Sequence, residues 1–547
     1  MRVSATSAAP VVSPPIPGAT RLAPVITRRV AFWWPWLAGL ATLVAAIHAI
    51  EPLPVGVFYD DAQYLVLAKS LASGNGYRFL NLPGMPLATH FPPGYPVFLA
   101  LLWRIAPAFP ENVAVFKFAN AILLAIVAVL ASRYAERQLG MPRALACVAG
   151  LAGAATIPSL VLSSSIMSEP LFLAMLFPLL AWSEGVMHAD DDGRPSRDAF
   201  LLGLGAGALT LVRTHGIALV AAIVLVLLLR RRWRAAAVAA SASTVVLAPW
   251  MLWVSVHNDA LPALVRGAYG SYVAWLLAGW RAEGWRLLAV TLPDNIATVV
   301  MTIVRSTAAG PHPLLETLAG ALYFGLSIPG AVHWWRRARV TMLFVAFYFV
   351  IVLVWPFSPL RFVWAIWPLL MIFPAAGIVN VWRSGIVRRL PAARRGLVVA
   401  AATLAAGIVA FNARGYVNAW WGANARFHAR RVLPQLSWVA RSTRPGDLIA
   451  ADAEAAVYLY TGRQAVPITT FTAAEYVRER TLAEEMQVVL HLLAEYHPRY
   501  VVVTAPPLLE ATSQLARVYA NSIIRIDTVG RGAAYSVRAC TTNAGCK

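Results

Sequence analysis

Two adjacent carboxylates, Asp60 and Asp61, stand in the stretch FYDDAQYLVLAKSLASGNGY (Phe58 to Tyr77), just after the first hydrophobic segment. A carboxylate in such a place can take a proton from a hydroxyl nucleophile, and a second one beside it raises one pKa of the pair. Side chains at neighbouring positions point apart, so only one of the two can face a reacting hydroxyl. Asp60 is favoured for that role, and Asp61 is then free to cap the helix that follows. Tyr64, Leu65, Leu67, Ala68 and Leu71 give that helix an apolar face broken by Lys69 and Ser70, and Gly74-Asn75-Gly76 ends it. The pattern predicts an amphipathic helix on a membrane surface, with both acids at the N-terminal end that its dipole favours.

Other polar residues in apolar surroundings could complete a site. Arg361 and Arg213 fall at the ends of hydrophobic spans, where a planar guanidinium offers a multidentate fork to a phosphate. Arg78 is a third choice for the same task. Glu169 opens a span after Ser168 and could orient a catalytic group or hold a cation, and His90 and Tyr95 lie in the segment HFPPGYP, where they could bind a substrate. Each has a plainer explanation: a capping or solvated acid for the Asp pair, an interfacial anchor that snorkels for Arg361, a dipole-favoured charge for Glu169, and structural roles for His90 and His215.

The elements that must position these residues are membrane spans. The chain has 547 residues, 59% hydrophobic and 13% charged, which is too apolar for a soluble protein and long enough for a membrane domain and a second one. The net charge of +21 is almost wholly arginine, with Lys only at 69, 117 and 547, and is not read as a nucleic-acid surface. Apolar windows at 31–50, 112–132, 142–162, 169–187, 199–213, 215–230, 235–255, 314–333, 340–356, 361–382 and 396–412 predict about eleven spans. Residues 1–30 read as a disordered cytoplasmic tail, and residues 31–412 as the membrane domain. With the N-terminus inside, the inner loops hold Arg133 to Arg143, Arg194 and Arg197, Arg230 to Arg234, Arg336 to Arg339, and Arg383 to Arg395, in keeping with the positive-inside rule. The opposite face receives the loop 51–111, the turn at Glu169, the Arg213 corner, the loop 256–313, the Phe357 to Arg361 turn and everything after 412.

Residues 413–547 read as a water-soluble α/β domain outside the membrane. Strands are expected at Asp447 to Ala451, Tyr500 to Thr504, Ile523 to Val529 and Ala533 to Val537, with an amphipathic helix over Ala473 to Tyr496. Cys540 and Cys546 could form a terminal disulfide there, whereas Cys147 lies in a span and reads as packing.

An acidic pair after the first span, a helix ending in Gly-Asn-Gly-Tyr and the Pro-Pro-Gly-Tyr-Pro turn together resemble the GT-C fold polyprenyl-phosphate-dependent glycosyltransferases, in particular the bacterial relatives of protein O-mannosyltransferases and aminoarabinose transferases. Ser168-Glu169-Pro170, Arg213-Thr214-His215-Gly216, the segment Trp355 to Pro368 and the Tyr458, Tyr460, Gly462, Arg463 turn extend the likeness. The family pattern often reads Asp-Glu where this chain has Asp-Asp. The resemblance implies an inverting transferase in the bacterial inner membrane that moves a hexosyl or pentosyl group from a polyprenyl-phosphate donor to an extracytoplasmic lipid, glycan or protein hydroxyl. It implies Asp60 or Asp61 as base and arginines for the departing phosphate, and it covers enzymes with and without a divalent cation. A multi-span secondary transporter and a non-enzymatic envelope assembly protein are the competing readings. The few charges inside the spans and the long outer loop speak against transport.

Overall fold

The computed structural model describes residues 23–188 and 195–538. Residues 1–22 of the expected tail, Arg194, Cys540 and Cys546 lie outside the described residues. The first helix, Ala23–His48, begins inside the stretch read from sequence as tail. By length and composition six of the described helices can cross a membrane: Val113–Arg137, Glu169–Met187, Trp233–Ala260, Trp285–Thr307, Pro313–Arg337 and Pro391–Val417. Arg143–Ala154 and Ile157–Ser164, bent by 50° at the break between them, make a seventh if counted as one span. The count of eleven is therefore not reproduced. Thr214–Leu229, Arg339–Val354 and Trp367–Trp382 are apolar but shorter.

The expected loop 256–313 contains a helix that the apolar windows miss, Trp285–Thr307. Pro293, Asp294 and Asn295 interrupt its apolar run, although the helix as a whole is as apolar as spans that the windows find. Asn295 is buried, and its Nδ2 donates to the carbonyls of Val352, Leu353 and Trp355, satisfying the end of a neighbouring helix.

Packing between spans relies on small residues and on side chains that repair breaks. A Cβ on Gly377 would stand 1.7 Å from Leu326 O and one on Gly330 would stand 2.1 Å from Phe373 O, so the helices Pro313–Arg337 and Trp367–Trp382 cross in backbone contact. At the 50° bend, Ile157 N donates to Asn412 Oδ1 (2.9 Å) and Ala155 O accepts from the Tyr416 hydroxyl (2.8 Å). Backbone groups freed in an apolar setting need such partners.

The loop 51–111 is structured, and its first helix is not an interfacial one. Asp60–Ala72 buries Asp61 to Ala68 on all faces, because Gly94–Ile105 packs on one side and Glu454–Thr461 on another. The second expected helix of the loop, at Val97 to Ala106, is Gly94–Ile105.

The C-terminal part builds one five-stranded sheet from β1 (Ile449–Ala451), β2 (Ala465–Pro467), β3 (Tyr500–Val503), β4 (Ile523–Val529) and β5 (Gly532–Val537), in the order β2-β1-β3-β5-β4. β1 runs parallel to β2 and β3, while β5 is antiparallel to β3 and β4. β2 was not expected. The edge it forms is covered by the loop 51–111, since Ala465 N donates to Asn81 O at 2.8 Å and Gln464 Nε2 to Leu82 O at 3.1 Å. The helix expected over Ala473 to Tyr496 is broken into a 3-10 turn, Ala473–Tyr476, and a helix, Leu482–Tyr496, because Thr481 starts a new helix by a capping box with Glu484.

Candidate functional site

Four helix ends meet at one end of the bundle. Asp60 is the first residue of Asp60–Ala72, Glu169 the first of Glu169–His188, Arg213 follows Pro195–Val212, and Arg361 is the second residue of Leu360–Ala365. Their side chains alternate in charge. Arg361 Nη2 lies 2.7 Å from Asp60 Oδ2, and its Nε lies 3.9 Å from Glu169 Oε1. Arg213 Nη1 lies 2.8 Å from the same Glu169 oxygen, and that nitrogen also donates to Ser168 Oγ at 3.0 Å. The Glu169 pairing is close in distance but off the hydrogen-bonding line, so neither carboxylate oxygen accepts a well-directed hydrogen bond.

Burial differs along this chain of charges. The side chains of Glu169 and Arg213 are 1% and 6% exposed, whereas Asp60 and Arg361 retain 16% and 20%. The latter pair therefore faces whatever space the site offers. Arg361 is flanked by the rings of Phe58 (5.8 Å) and Phe362 (5.5 Å), an apolar frame that strengthens its charge interactions.

The two aspartates have separate tasks. Asp61 is buried, and its oxygens accept from Gly56 N (2.7 Å), Val57 N (3.1 Å) and Phe58 N (3.0 Å). It clamps the backbone that leads into the helix instead of capping the helix's own first amides. Burial pushes its carboxyl pKa up, against the pull of the three amides and the His428 charge. Asp60 carries no such backbone load and turns to Arg361.

Other residues singled out from sequence fall around this cluster or away from it. His90 is buried, and its Nδ1–H donates to Gly270 O at 2.5 Å, since a carbonyl can only accept. Burial lowers its pKa from 6.5 to about 4, although Asp60 is near enough to oppose that. Tyr95 is wholly buried, its hydroxyl paired with Asn120, which also donates to Met167 O. Its hydroxyl is thus engaged within the core. Arg78 donates to Met85 O at 3.0 Å on a solvent-facing turn and makes no contact with the Asp60 cluster. Near the turn that precedes Arg361, Trp275 lies against Phe357 (5.1 Å) and Phe471 (5.3 Å) and is 6% exposed, so this aromatic stack is packed rather than open to a ligand.

Glu454, Tyr59 and Tyr269 escaped the sequence reading. The Glu454 carboxylate is buried next to the acid loop and accepts from the Tyr59 and Tyr269 hydroxyls, each at 2.6 Å. It is 395 positions from Tyr59 in the chain, and no spacing pattern links the two. Beside them a cavity of about 420 Å³ opens between the loop 51–111 and the C-terminal part, lined among others by Tyr59, His428, Arg431, Asp452 and Glu454. Among the described residues no three His, Cys, Asp or Glu side chains gather as metal ligands. A cation shared by Asp60 and Glu169 would have to displace the guanidinium between them.

No protein-family model matches the sequence, and no curated protein matches it. Solved structures do match in fold. The structure of ArnT from Cupriavidus metallidurans bound to undecaprenyl phosphate superposes with a TM-score of 0.55 at 16% identity, over 93% of this chain and 99% of that one. Its apo state gives 0.52 at 13% identity, over 93% and 98%. The chain therefore has the GT-C fold, and it is a multi-pass membrane protein. The fold is shared along nearly its whole length, C-terminal part included.

Proposed function

We propose that this chain is an inverting glycosyltransferase of the bacterial inner membrane, moving a sugar from a polyprenyl-phosphate donor to an acceptor hydroxyl on the extracytoplasmic side. One observation carries the reading: Asp60 and Arg361, a base and a phosphate ligand, stand in contact at the exposed end of a buried charge cluster, in a fold shared with a protein crystallised with undecaprenyl phosphate. In this reaction the acceptor O–H proton passes to Asp60. The acceptor oxygen forms a bond to the anomeric carbon from the face opposite the phosphate. The bond from that carbon to the phosphate oxygen breaks, and its electron pair leaves with the polyprenyl phosphate. Arg361, backed by Arg213, neutralises the departing charge. Glu169 holds both arginines in place.

Direct attack inverts the anomeric centre. An apolar groove between the helices Trp285–Thr307, Pro313–Arg337 and Arg339–Val354, about 350 Å³ and lined by residues such as Val300, Tyr323 and Phe349, suits a prenyl chain. The orientation with the N-terminus in the cytoplasm and the C-terminal sheet outside is part of this reading, supported by arginine-rich loops at the end of the helix Glu169–His188 away from Glu169, where Arg230 donates to Met187 O. The test is mass spectrometry of lipid extracts from a strain lacking the gene. Accumulation of a polyprenyl-phosphate sugar, removed by the wild-type gene, supports the reading and names the donor. An unchanged lipid-linked sugar profile, with altered uptake or export instead, supports a transporter.

A further inference from the structure

Asp60 is delivered to Arg361 by a backbone conformation that L-residues avoid. Tyr59, the residue before it, has φ 66° and ψ −54°, and Asp60 N donates back to Phe58 O at 2.7 Å. This is a γ-turn of the rare, strained kind. Strained turns of this sort persist where surrounding contacts over-determine them.

Two sets of contacts do so here. Asp61 gathers the amides of Gly56, Val57 and Phe58 on the upstream side. On the other side, the turn's own central residue is tied by its hydroxyl to Glu454, the first residue of the helix Glu454–Thr461 in the C-terminal part. Glu454 is 1% exposed and sits at a helix N-terminus, where the dipole favours an acceptor carboxylate. Tyr269 shares that carboxylate: its hydroxyl donates to the same Glu454 oxygen and accepts from Gln63 Nε2 and Asn81 Nδ2, both at 2.9 Å.

We propose that Glu454 is a positioning residue for the transfer reaction: through the Tyr59 hydroxyl it holds the γ-turn that aims Asp60 at Arg361 and the acceptor. The C-terminal part, through the helix that opens with Glu454, thereby sets the geometry of the base. The inference rests on the transferase reading given above.

Tyr59→Phe removes the hydroxyl and keeps the ring. Tyr269→Phe removes the other hydroxyl on Glu454 and leaves the turn's own tether intact. Two readouts on the full-length chain separate them: hydrogen–deuterium exchange of a peptide covering residues 56–62 in detergent, and accumulation of the polyprenyl-phosphate sugar when each variant replaces the wild type in cells. The expected result is faster exchange and donor accumulation for Tyr59→Phe, corresponding to a loss of about tenfold or more in turnover, as small misplacements of a catalytic group give. Undecaprenyl phosphate binding is expected to be unchanged. Glu454→Gln, which keeps an acceptor oxygen, should fall between wild type and Glu454→Ala. Tyr269→Phe should leave turnover within about twofold, whatever it does to thermal stability. Wild-type exchange and no accumulation for Tyr59→Phe, beside accumulation for Asp60→Asn, would overturn the positioning role alone. No accumulation even for Asp60→Asn would remove the transferase reading, and the positioning role with it.

Discussion

Arg361 Nη2 lies 2.7 Å from Asp60 Oδ2, so the proposed phosphate ligand and the proposed base form one ion pair. A phosphate arriving at Arg361 competes with Asp60 for the same guanidinium. In the proposed reaction, a donor phosphate that takes Arg361 from Asp60 frees the carboxylate to accept the acceptor's proton.

Arg361→Lys should not restore what Arg361→Ala removes. A lysine keeps the charge but loses the planar fork that spans Asp60, Glu169 and a phosphate. Undecaprenyl phosphate binding to the purified full-length chain, followed by calorimetry, is expected to weaken about tenfold to a hundredfold in both variants, the worth of a charge-assisted hydrogen bond. Equal affinity for Arg361→Lys and wild type would show that the phosphate does not use the fork.

Arg213 and Glu169 form the buried part of the cluster, and single changes there should unbalance it. Arg213→Gln leaves Glu169 buried beside a more distant partner, and breaking such a pair costs about 3–5 kcal/mol. The double variant Arg213→Gln with Glu169→Gln should be more stable than either single one. Thermal unfolding in detergent reads this directly, and additive losses would argue against the pairing.

His90 should make the protein acid-sensitive. Its pKa falls from 6.5 to about 4 on folding, because burial disfavours the charged ring. Between those values the unfolded chain binds more protons than the folded one, so stability rises with pH there. The contribution is complete above 6.5 and lost as pH falls towards 4, by about 3 kcal/mol in all. His90→Asn, which can still donate to Gly270 O, should flatten the melting temperature between pH 7 and 4.5. A wild-type melting temperature that does not change over this range would count against a neutral buried ring.

Much of the site could be read from the sequence because its members sit at ends of apolar runs, where polar residues stand out. Asp60, Glu169, Arg213 and Arg361 all have that signature, and the fold brings them together. Arg78, read with those arginines as a phosphate ligand, lies within the loop 51–111 and belongs to a local turn. The helix after Asp60 read as interfacial because its polar side was assumed to face water or lipid headgroups. Gln63 Nε2 instead donates to the Tyr269 hydroxyl, and Ser70 Oγ to Gly76 O, so these donors find partners inside the protein rather than in solvent. The apolar run of the helix Trp285–Thr307 is split in the sequence by Pro293, Asp294 and Asn295, and Asn295 works as a backbone cap for another helix. Glu454 and Tyr59 could not be linked in the sequence at all, since their meeting depends on how the C-terminal sheet docks on the loop 51–111.

The division of labour between the two aspartates is the most direct test of the account. Asp60→Asn and Asp61→Asn are compared in the full-length chain for thermal stability, undecaprenyl phosphate binding and sugar transfer in membranes. Asp60→Asn is expected to fold, to bind undecaprenyl phosphate at least as well as wild type because Arg361 is relieved of its partner, and to lose about 10²- to 10⁴-fold in transfer. Asp61→Asn faces three backbone donors with one acceptor oxygen fewer and should lose about 1–3 kcal/mol of stability. Full transfer by a folded Asp60→Asn variant would contradict the account.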